Sequence, residues 1–142
     1  MKKLVLSIII ALVAVTAIGQ KVHRPVEIRT TELGNQKMEY VAGEYVLLIK
    51  TGHSAMKYVT VSLGNKEQAL KILCFLRDTK FKSGDIIELE NSTGTLAKFN
   101  GLKQFIFYSE GKQFSGQMAK RYVKGYIEAI ETHDEGGSQE TE

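Results

Sequence analysis

From Val26 onward, apolar and polar residues alternate in short runs separated by Gly34, Gly43, Gly52, Gly64, Gly84, Gly94, Gly101 and Gly111. Period-two alternation bounded by glycines is the pattern of half-buried strands joined by tight turns. It predicts strands over Val26–Thr31, Lys37–Val41, Tyr45–Lys50, Lys57–Leu63, Asp85–Asn91, Thr95–Asn100 and Lys103–Ser109. Val59, Val61 and Leu63 share one face, with Tyr58, Thr60 and Ser62 on the other. Tyr45–Ile49 is apolar throughout, which marks it as a central strand.

Two segments change to helical period. Over Lys66–Asp78, Ala69, Ile72, Leu73 and Leu76 fill one arc, with Glu67, Lys71 and Asp78 opposite. Asn65 supplies the N-cap and Gln68, three residues on, the capping-box partner. The second helix is predicted over Gly116–Thr132 with Ser115 as cap; Ala119, Tyr122, Val123, Tyr126 and Ile130 form its core face. The expected fold is α+β: one twisted, mostly antiparallel sheet with both helices on one face, in the order ββ(β)αβββα.

The ends read differently. Lys2 and Lys3 precede an apolar run over residues 4–18, the arrangement of a cleavable secretory leader. The run is shorter than the roughly 20 residues a membrane-spanning helix needs. Small residues at Ala17 and Gly19 place cleavage before Gln20, so the expected organisation is a signal peptide over 1–19, a single domain over 20–132 and a disordered acidic tail over 133–142. The predicted location is the periplasm or the medium of a bacterium, with the membrane met only during export. Cys74 is the single cysteine, so the domain is held by its core and not by an internal disulfide.

Charge refines this picture. The formal net charge of +3 includes the two leader lysines. Residues 20–127 hold 17 Lys or Arg against 10 Asp or Glu, whereas residues 128–142 hold six acids and no base. A mildly basic body of this kind suits an anionic partner, but its cations are scattered and export separates it from nucleic acid.

The chemistry-bearing side chains do not assemble into a catalytic pattern. Cys74 lies one helical turn from Lys71 and near Arg77, cations that favour thiolate, yet no motif ties it to His23 or His53 as a base. His23, His53 and His133 stand far apart, without metal-ligand spacing. Glu88 and Glu90 point to one side of a strand, as a solvated strand face does. No cofactor and no catalytic residue is assigned. The most unusual stretch runs from Ser109 to Arg121, where glycines and a serine lead into the expected helix N-terminus, a natural anion site. Lys112, Ser115, Lys120, Arg121 and Lys124 are its candidate ligand-binding residues. The expected function is an exported, non-enzymatic binding module, an inhibitor or envelope-associated interaction protein, whose partner is a protein, an anionic glycan or a small anion. The rivals are a small hydrolase using Cys74 with His53, and a strand-exchanging subunit donating the segment from Val26.

Overall fold

The computed structural model describes residues 21–31 and 35–133. The predicted leader, the turn around Gly34 and the acidic tail beyond His133 lie outside the described residues. The elements are β1 (Val26–Thr30), β2 (Gln36–Val41), β3 (Glu44–Lys50), β4 (Tyr58–Gly64), α1 (Lys66–Asp78), β5 (Ile86–Glu88), β6 (Leu96–Phe99), β7 (Gln104–Tyr108), β8 (Ser115–Ala119) and α2 (Val123–Thr132). The fold is α+β, as the pattern predicts.

The strands form two antiparallel sheets of four, β1-β2-β3-β4 and β5-β6-β7-β8, each paired in chain order. The expectation of one sheet is corrected here. Short turns pair each strand with its neighbour, but α1 interrupts that succession after β4, and the second meander starts afresh at β5. The Ser62 carbonyl, on β4, accepts a hydrogen bond from the side-chain amide of Asn91 (2.9 Å), a side-chain contact between the two sheets' segments. The chain is thus two successive ββββα units.

Between β2 and β3 the chain reverses through Ala42 and Gly43, both at positive φ (52° and 81°). Positive φ at both central positions is the hairpin turn whose twist matches the flanking strands. β3 sits inside its sheet with Tyr45, Leu47 and Ile49 buried. Alternate residues of every long strand turn inward, among them Met38, Val61, Ala97, Phe105 and Met118, into one core shared by both sheets and both helices.

α1 begins as its sequence predicts. Asn65 accepts from the Gln68 amide, and the Gln68 side chain reaches back to the Asn65 amide. Its buried residues are Ala69, Ile72, Leu73 and Leu76, the last three each stabilising the fold by about 1.5–3 kcal/mol. α1 packs against α2 and over β4, while β1 lies against α2.

The second helix begins later than its periodicity suggests. Ser115–Ala119 is a strand, Lys120–Tyr122 one turn of 3-10 helix, and α2 starts only at Val123. The helical period turns Ala119 inward with Tyr122 and Val123, whereas the strand buries Gly116 and Met118; pairing with β7 sets these two opposite Phe107 and Phe105, and Gly116 is a poor helix former. Tertiary pairing overrides the local pattern. Ser115 is consequently no helix cap, and Tyr122 at the N-cap position makes no side-chain capping bond.

Candidate functional site

The sheets meet where β8 lies against β3 and β4. Gly116 is the contact point: a Cβ placed there would stand 2.6 Å from Ile49 Cγ2 and 2.9 Å from the Ile49 carbonyl oxygen. Only a residue without a side chain lets the two backbones come so close. Beside this contact the Gln36 amide nitrogen donates to the Gln117 carbonyl (3.2 Å), bridging the sheets. The side-chain oxygen of the same amide, Gln36 Oε1, is buried with no partner among the described residues.

Next to that bridge opens a cleft of about 650 Å³, within the range of small-molecule sites. Its walls come from the start of β2, the end of β3, β8 and the 3-10 turn. Lys50 and Arg121 supply two cations; Gln36, Gln104 and Gln117 supply amides, and Ser115 a hydroxyl. No carboxylate lines it. The Arg121 guanidinium lies 5.0 Å from the centre of the Tyr122 ring and donates to the Tyr122 hydroxyl (3.3 Å), which holds the cation at the rim.

Of the five residues the sequence singles out, the cleft gathers Ser115 and Arg121. Lys112 belongs elsewhere, at positive φ (58°) in the turn after Gly111. There it lines a separate groove of about 690 Å³ with Tyr58, Thr60, Tyr108 and Glu110. Lys120 is turned inward: its Nζ donates to the Thr79 carbonyl at the end of α1 and lies 5.1 Å from the Phe81 ring centre. A cation poorly placed for the dipole of α2 is thus well placed for the dipole of α1. Lys124 is exposed on the first turn of α2 and lines neither cavity. Lys50, Gln36, Gln104 and Gln117 carry no local signal; each is one polar residue at a strand end or in an alternating strand, and only the meeting of the sheets groups them.

Cys74 is half-buried on α1 against the core. No hydrogen bond among the described residues joins it to a histidine. His53 takes the Ala55 amide on Nδ1 (3.0 Å) and packs on Phe114. His133 is not part of a loose end: its Nδ1 meets the Tyr45 hydroxyl at 2.7 Å, and its ring lies edge-on to Tyr40 and Tyr45. Among the described residues, no group of three or more His, Cys, Asp or Glu is placed to hold a metal ion. The segment from Val26 is β1, paired with β2 of its own chain. Burial pushes the Tyr126 hydroxyl well above its ordinary pKa, with Arg29 opposing, and that hydroxyl has no hydrogen-bond partner among the described residues.

Comparison of the chain with protein-family models, with curated proteins and with solved structures finds no match.

Proposed function

We propose that this protein is an exported, non-enzymatic binding module whose inter-sheet cleft takes an anionic, hydroxyl-rich ligand such as an acidic glycan. The observation that carries this reading is the lining of the cleft: Lys50 and Arg121 with amides and a hydroxyl, and no carboxylate. Guanidinium is suited to bidentate recognition of a carboxylate or sulfate group, and amides suit sugar hydroxyls as donor and acceptor at once. Export is read from the leader pattern of residues 1–19. The ligand-binding set is therefore revised to Lys50, Ser115 and Arg121 with the three glutamines.

The test is titration calorimetry with uronate-containing and sulfated oligosaccharides beside their neutral parents. The acidic members bind and the neutral ones bind at least tenfold more weakly. Arg121→Ala and Lys50→Ala each weaken binding by about tenfold, the 1.4 kcal/mol expected of a charge-assisted contact, while Lys124→Ala leaves it unchanged. Equal affinity for acidic and neutral sugars, or indifference to both substitutions, rejects the reading.

A further inference from the structure

β5 is the outer strand of the second sheet, paired only with β6 among the described residues. Its register determines which backbone groups remain open. The Phe99 amide donates to the Asp85 carbonyl (2.9 Å) and the Leu89 amide to the Thr95 carbonyl (2.9 Å). Bonded pairs alternate with non-bonded ones in an antiparallel ladder, so Ile87 faces Ala97 as a bonded pair. Ile86 and Glu88 therefore turn their N–H and C=O groups away from β6, toward the open edge.

That edge borders a groove of about 380 Å³, whose opposite wall is α1. Ile72, Phe75 and Leu89 make its apolar floor and side. Phe75 is 49% exposed and Ile86 73% exposed, two large apolar side chains left to solvent beside an unpaired edge. Exposed edges are ordinarily blunted by lysine, proline or a covering element; this one presents an isoleucine and unpaired peptide groups. Glu88 and, just past the end of β5, Glu90 are exposed and both line the groove, and Asp85 stands immediately before the strand. The nearby cations lie off the edge itself: Lys71 is on the helix wall, Lys98 is on the neighbouring strand β6, opposite Ile86, and Lys82 precedes the strand, its backbone amide donating to the Asp85 carboxylate (2.8 Å).

We propose that β5 accepts an extended segment of a partner protein, with basic and aliphatic residues in alternation, as a fifth strand of the second sheet. Its peptide groups complete the outward bonds of Ile86 and Glu88. Side chains on one of its faces stand beside Glu88 and Glu90, where cross-strand pairs of opposite charge are favoured. Those on its other face enter the groove over Ile72, Phe75 and Leu89. Strand addition of this kind draws affinity from the main chain and selectivity from alternate side chains. The site is separate from the inter-sheet cleft.

The probe is a capped synthetic peptide, Lys-Ile-Lys-Val-Lys-Ile, beside its acidic counterpart Glu-Ile-Glu-Val-Glu-Ile, followed by calorimetry and by amide exchange read by NMR. The basic peptide binds the wild-type protein at least tenfold more tightly than the acidic one, and slows exchange of the Ile86 and Glu88 amides. In the double variant Glu88→Lys/Glu90→Lys the preference inverts. Absence of binding, equal binding of both peptides to the wild type, or protection confined to another edge such as β1 overturns the proposal. So does self-association that protects Ile86 and Glu88 without peptide, since the occupant is then a second copy. The peptide comparison on the wild type needs no variant to fold.

Discussion

Two glycines crowd a neighbour to nearly the same distance, and substitution by alanine is expected to act in opposite directions. At Gly116 the new Cβ meets the Ile49 Cγ2 at 2.6 Å and the Ile49 carbonyl oxygen at 2.9 Å. Ordinary contacts begin near 3.4 Å, so β8 and β3 must part by roughly half an ångström or more. The carbonyl belongs to a strand paired on both sides, and no rotamer change can move it. Overpacking of this kind costs about 1–3 kcal/mol. For a domain of this size that lowers Tm by about 4–12 °C.

At Gly125 the Cβ meets the Arg29 guanidinium at 2.7 Å, the free end of a long side chain on the exposed surface of β1. It can swing aside, and alanine in the body of α2 gains about 1 kcal/mol of helix propensity. Gly125→Ala is therefore neutral or stabilising. Urea denaturation with a shared m-value separates the two. Gly116→Ala at wild-type stability, or Gly125→Ala destabilised by more than about 1 kcal/mol, refutes the distinction between a rigid and a yielding neighbour.

Removing the Tyr126 hydroxyl, which has no partner among the described residues, by Tyr126→Phe raises stability by about 1 kcal/mol, the lower end of the cost of an unsatisfied buried polar group; denaturant midpoints check it. Because burial raises the folded-state pKa of Tyr126, its neutral form favours the fold fully below pH about 10, and this stability is lost as pH rises beyond that. Stability measured between pH 9 and 11 thus falls less steeply in Tyr126→Phe. His133→Ala and Tyr45→Phe each lower stability, and their double-mutant cycle returns a coupling of about 1 kcal/mol. A coupling near zero would show that the 2.7 Å contact contributes nothing to holding the end of α2.

The elements legible from the residues alone are those whose pattern and packing agree. Asn65 and Gln68 announce α1, and the continuous apolar run Tyr45–Ile49 announces an interior strand. Ser115–Ala119 misleads because Ala119 continues the helical face of Tyr122, Val123 and Tyr126, while the pairing with β7 and the close contact of Gly116 on Ile49, 67 positions away, leave no local mark. The same limit applies to the cleft. Arg121 and Ser115 are noticed because they stand in a glycine-rich stretch with other cations, but that stretch does not hold together: Lys120 serves the end of α1, and Lys112 faces another groove. Lys50 and the glutamines look like ordinary surface residues until two sheets converge on them. His133 looks like the start of an acidic tail, and only the aromatic pair Tyr40 and Tyr45 gives it a place.

The succession of two ββββα units has a consequence for how the molecule holds together. No strand of one unit pairs with a strand of the other among the described residues. The units are joined instead by side-chain packing, by bonds such as Gln36 to Gln117 and Asn91 to Ser62, and by the residues between Asp78 and Ile86. In energetic terms the protein is a heterodimer carried on one chain. The connection acts as a tether that keeps each unit at an effective concentration on the order of millimolar near its mate. A break at Lys80, an exposed position after α1, would sever no ladder; it would turn a fold insensitive to dilution into one that depends on it.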